Sequence, residues 1–150
     1  MTNGQTEKVV ERRTGTQTMI DKLLAERKEV LALYWHVAGL EPLTPETPFG
    51  DHLQEFCEVL VDYIAFGHFE VYDRIGSGKE RREAVVSLAE KIYPNILDTT
   101  DVAVSFNDKY DETDHKLHLE DLPKDLSQMG EVLATRIELE DQLIEVMLQR

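Results

Sequence analysis

The chain has 150 residues, 41% of them hydrophobic, enough for one domain with its own core and too few for two comfortable ones. Its 16 basic and 30 acidic side chains leave a formal charge of −14, which repels phosphate backbones and anionic lipid and favours basic protein surfaces. That balance argues against direct binding of nucleic acid or membrane and points to a protein partner.

Cys57 stands alone, so no disulfide can form within the chain and a reducing compartment is the natural setting. No apolar leader opens the sequence, and no stretch approaches the roughly 18 apolar residues of a membrane span. A soluble, cytoplasmic protein is expected.

Residues 1–17 are polar and without sustained periodicity, which reads as a flexible tail ahead of a helical domain at 18–150. From Thr18, Ile20, Leu23, Leu24, Leu31, Tyr34, Trp35 and Ala38 recur at three- and four-residue spacing, predicting an amphipathic helix with Gly39 as its C-cap. The segment EPLTPETPFGD holds three prolines and reads as a stiff connector. A second helix is expected from His52, capped by Asp51, to Ile75, stopped by Gly76-Ser77-Gly78. A third runs from Glu80 to Tyr93 and is ended or kinked by Pro94; a fourth, weaker, covers Asn95 to Asp111; a last one covers Lys124 to Leu148. With no strand pattern and no repeat, the fold class is all-α, an antiparallel up-and-down bundle of about five helices.

The second helix carries two faces on a 100° wheel. Phe56, Leu60, Tyr63, Ile64, Gly67, Val71 and Ile75 form one, a core face in which Gly67 permits close approach of a neighbour. Glu55, Asp62, Phe66, Phe69 and Asp73 share the other. Two readings stand for it: a helix wrapped on all sides, or a docking face on which aromatics supply burial and carboxylates supply steering for a basic partner helix. Arg27 lies in the apolar stripe of the first helix and requires a carboxylate, from Asp62, Glu140 or a bound protein.

Other chemistry is thin. His68 falls near Val61, Cys57 and Tyr72 on the wheel, as a core histidine would. Gly76-Ser77-Gly78-Lys79-Glu80 lacks the length and the Ser or Thr of a phosphate loop. The cluster Glu112-Thr113-Asp114-His115 with His118 supplies one loop copy where a di-iron bundle needs paired motifs on helices. His36 and His52 join no evident site, and no nucleophile elbow or triad spacing appears. A non-enzymatic protein without metal or cofactor is the reading, with a metal-dependent bundle enzyme, or an acidic adaptor for another basic regulatory protein, as alternatives.

The motifs Glu26-Arg27, Phe56-Cys57, Leu60-Val61-Asp62-Tyr63, Gly67-His68-Phe69-Glu70-Val71-Tyr72, Ile92-Tyr93-Pro94, Phe106-Asn107-Asp108 and Leu139-Glu140-Asp141, with Asp21 and Leu143-Ile144, make the chain resemble the Rsd/AlgQ family of bacterial anti-sigma factors from about Met19 to Leu148. The resemblance implies a helical bundle that binds region four of the housekeeping sigma factor of RNA polymerase. Such binding would limit housekeeping promoter use, especially in stationary phase, through a monomer in a one-to-one complex. It carries the partner surface onto Arg27, Asp62 and Phe69, with Met19 and Leu23 as apolar neighbours. Phe66 and Asp73 join them from the aromatic and acidic arc.

Overall fold

The computed structural model describes residues 3–39, 49–111 and 120–149. Among the described residues four helical rods form, where about five helices were expected. The first is α1, Asn3–Val37. The second begins as α2, Phe49–Phe66, passes through a π-helical stretch at Gly67–Tyr72 and ends as the short α3, Asp73–Gly76. The third and fourth are α4, Glu83–Tyr110, and α5, Leu122–Leu148. Among the described residues there is no strand.

Cross-rod contacts fix an up-and-down order. Lys22 sits over the Phe66 ring while Tyr34 meets Phe56, so α1 and α2 are antiparallel. Tyr72 packs on Tyr93 and Phe56 on Phe106, reversing α4 against α2. Arg136 reaches Thr99 while Tyr110 reaches Asp125, reversing α5 against α4. Arg27 pairs with Asp141 and Tyr34 with the Leu126 carbonyl, which closes α1 on α5.

The core follows a repeat of alternating four- and three-residue steps. α4 buries Val85, Ala89, Ile92, Ile96, Thr99, Ala103, Phe106 and Tyr110, a 3.5-residue period that keeps one face on its neighbours along the whole rod. The stripe passes through Pro94 unbroken, so the third and fourth expected helices are one. Pro94 is exposed, as is Glu90 one turn earlier. The Glu90 carbonyl that proline leaves unpaired therefore faces water, and the helix continues past it. The backbone of α1 also reaches back to Asn3, through the stretch read as a tail, and Thr16 is buried. No proline interrupts it, and a helix nucleated by packed residues propagates at one hydrogen bond per added residue. Its C-terminus is as expected: Gly39 takes φ +76°, the left-handed conformation glycine adopts without a Cβ clash.

The buried stripe of α5 is not wholly apolar. It consists of Leu122, Leu126, Met129, Leu133, Arg136, Glu140, Leu143 and Met147, with charges at two central positions, while Ile137, Leu139 and Ile144 move to its flanks. Arg136 and Glu140 are 1% and 2% exposed. The charges survive because all four rods satisfy them. The Arg136 guanidinium donates to Glu140 at 3.2 Å and to the hydroxyls of Thr99 and Thr100 at 3.1 and 3.0 Å. It also lies over the Tyr63 ring at 5.3 Å. Tyr63 donates its hydroxyl proton to Glu140, and Arg27 stands 3.7 Å from the same carboxylate. Gly67 makes room for this layer, since a Cβ there would lie 2.8 Å from Arg136 Nη2. The close approach anticipated at Gly67 is real, and a guanidinium makes it. Burial pushes the Glu140 carboxyl above its usual range, opposed chiefly by Arg136.

Candidate functional site

The core face expected of the second rod is confirmed: Phe56, Leu60, Tyr63, Ile64, Gly67, Val71 and Ile75 are all buried. Cys57 is buried with them, and burial raises its thiol to about 12, so it stays protonated and inert. His68 corrects the wheel. It is exposed rather than in the core, and its ring meets Phe69 edge-on at 4.8 Å. A π-helical stretch begins one residue earlier, at Gly67. Its wider turn advances each residue by less than 100°, which brings Tyr72 into the core and holds Arg74 off it.

The second arc faces solvent. Phe69 is 64% exposed, and Glu55, Asp62 and Asp73 are exposed as well. Phe66 is half-buried at the seam with α1, where Lys22 Nζ stands 4.8 Å from its ring centre. A fully wrapped helix is therefore not what forms. An exposed phenylalanine framed by carboxylates has the composition of an interface anchor.

The residues assigned to α1 divide differently. Met19 and Leu23 are buried in the core, beneath the face. Arg27 finds its carboxylates on α5 of its own chain, exposed Asp141 at 2.8 Å and buried Glu140 at 3.7 Å. Of the two carboxylates considered for it within the chain, Glu140 is met and Asp62 is not; Asp141, which was not considered, stands nearer. Arg27 thus ties α1 to α5.

Glu26 completes the face and was missed as a site residue, although it stands in the Glu26-Arg27 motif. It is half-buried, with Oε2 out of water and without a hydrogen bond. Its carboxyl is raised by burial, with Lys22 opposing and Asp62 and Glu29 adding to the shift. Glu26 and Asp62 therefore share a negative potential across the α1–α2 seam, beside Phe66. The arrangement suits an incoming cation, because an arginine or lysine would hydrogen-bond an oxygen that now has no partner.

Among the described residues no group of three or more His, Cys, Asp or Glu could hold a metal ion; the Glu112 to His118 cluster lies outside them. His36 and His52 stack at 5.6 Å. No helix among the described residues is long and apolar enough to cross a membrane.

The model of the family described as "Regulator of RNA polymerase sigma(70) subunit, Rsd/AlgQ" matches residues 2–148. The chain belongs to the Rsd/AlgQ family. It is 38% identical over 144 residues to the Regulator of sigma D of Yersinia enterocolitica, covering 93% of this chain and 86% of that protein. To the Regulator of sigma D of Shigella boydii it is 35% identical over 149 residues, covering 93% and 90%. Rsd/AlgQ proteins are regulators of a sigma factor and not enzymes, as the residues had suggested. Within this family frame, the π-helical stretch presents Gly67-His68-Phe69-Glu70-Val71-Tyr72, the longest motif that carried the resemblance.

Proposed function

We propose that this protein binds region four of the housekeeping sigma factor in the cytoplasm, as a monomer in a one-to-one complex. Occupying that region would limit housekeeping promoter use, especially as cells enter stationary phase. The observation that carries the reading is Phe69, 64% exposed on a rod whose other face is core, with Asp62 on the same rod. By the family resemblance, region four is the helix-turn-helix that reads the −35 promoter element; such a DNA-reading surface is basic, and this protein's charge of −14 steers it toward the acidic face. In the complex, Phe69 and Phe66 supply apolar contact, and Asp62, Asp73 and Glu26 supply the carboxylates. Met19, Leu23 and Arg27 hold α1 in place beneath and beside them.

Titration calorimetry with purified region four at low salt tests the reading, and absence of complex there would end it. Phe69→Ala is expected to weaken binding by about 2 kcal/mol or more, as loss of an anchor does. Folding stability should change by less than about 0.5 kcal/mol, because the ring is already in water. Asp62→Asn keeps the shape and is expected to slow association and flatten its salt dependence.

A further inference from the structure

We infer that the protein has a second docking surface, a groove between α1 and α5, built to take a basic amphipathic helix from a protein partner. The groove is open and has a volume of about 690 Å³. Leu31 and Trp35 of α1 and Leu133 and Ile137 of α5 form its apolar lining. Trp35 is the chain's single tryptophan and is 48% exposed, although a ring of that size normally contributes heavily to burial. The two rods are held together at either end of this stretch, by Tyr34 donating to the Leu126 carbonyl and by Arg27 pairing with Asp141. The groove is therefore a fixed feature of the bundle.

Charge identifies the occupant. Every charged residue lining the groove is acidic: Glu138, Asp141 and Glu145. They lie three and four residues apart on α5, which places them on one edge over two helical turns. Arg27 neutralises Asp141, leaving Glu138 and Glu145 at the two ends of the edge. A helix that lays an apolar stripe over Trp35 and Ile137 and carries lysine or arginine one turn to the side meets both conditions. A neutral or acidic helix meets only the first. The α1–α2 face lies on another side of α1, so the two surfaces are separate.

Trp35 is also the reporter. A short leucine–lysine amphipathic peptide, titrated into the full chain, is expected to shift the Trp35 emission to the blue and to saturate at one peptide per chain. Its leucine–glutamate counterpart should give no shift. Glu138→Lys with Glu145→Lys is expected to weaken binding about tenfold or more. Glu58→Lys with Glu90→Lys, an equal charge change at exposed positions elsewhere, should alter it by less than about threefold, as should Phe69→Ala. Far-UV circular dichroism checks that each variant is folded. Absence of a shift, equal weakening by the two charge pairs, or loss of binding in Phe69→Ala would overturn the proposal. So would a concentration-dependent dimer abolished by Ala134→Arg, which would make the groove a contact between two copies of this chain.

Discussion

Arg136 shows how one residue can be essential to a fold without favouring it on its own. A guanidinium at 1% exposure is tolerated only because Glu140, Thr99, Thr100 and the Tyr63 ring surround it. Arg136→Met is expected to destabilise the protein by about 3 to 5 kcal/mol, since it strands the Glu140 carboxylate. Pairing it with Glu140→Leu should recover much of that loss, because the desolvation of both charges is removed together. Urea denaturation of the single and double variants checks this; a double variant no better than the single would mean that the ion pair itself stabilises the bundle. At the end of the same interface, Lys109 stands 2.8 Å from Asp125 and Tyr110 donates to it at 2.6 Å. These contacts hold the Asp125 carboxyl below its ordinary 3.8. Its folded value is the lower one, so its stabilisation is present above pH 3.8 and disappears as pH falls through the folded value. A carboxyl-carbon NMR titration should place the Asp125 midpoint below 3.8, and Lys109→Met should raise it.

Among the elements, the second rod depends on how its π turn meets α5. Gly67 opens that turn, and an added Cβ would fall 2.8 Å from Arg136 Nη2. That guanidinium is held on three sides and cannot yield freely, so Gly67→Ala is expected to lower stability by about 1 to 3 kcal/mol, as overpacking does. Gly76→Ala is the control: nothing lies within 4 Å of its Cβ position, and the change should stay within about 0.5 kcal/mol. Thermal denaturation of the two variants compares them. The turn also bears on the proposed partner face, because it determines how far Phe69 and Asp73 are rotated from Asp62 and Phe66.

For the whole molecule, a charge of −14 acts in opposite directions on folding and on association. Self-repulsion weakens the compact state, while the same field attracts a basic partner. Raising sodium chloride from about 0.05 to about 0.5 M screens both. The free protein is expected to melt at a higher temperature while the proposed binding of region four weakens. Differential scanning calorimetry and calorimetric titration on one salt series read the two trends, and a melting temperature that falls with salt would show that specific ion pairs outweigh the net repulsion.

The sequence by itself determined the helical class, the order of the rods, the core face of the second one and the pairing of Phe69 with carboxylates on its opposite face. Those features are written in residue spacing, which local backbone geometry converts directly into faces. Only the tertiary structure decided the rest. Pro94 stays inside α4 because it falls on the solvent side. Arg136 and Glu140 enter the core because Thr99, Tyr63 and Gly67 come from other rods to receive them. Tyr72 enters the core because a π turn changes the angular step. Arg27 binds Asp141, 114 positions away in the chain. Spacing along one helix carries no information about which residue of another will stand opposite, and the energy of a buried charge depends almost entirely on that neighbour.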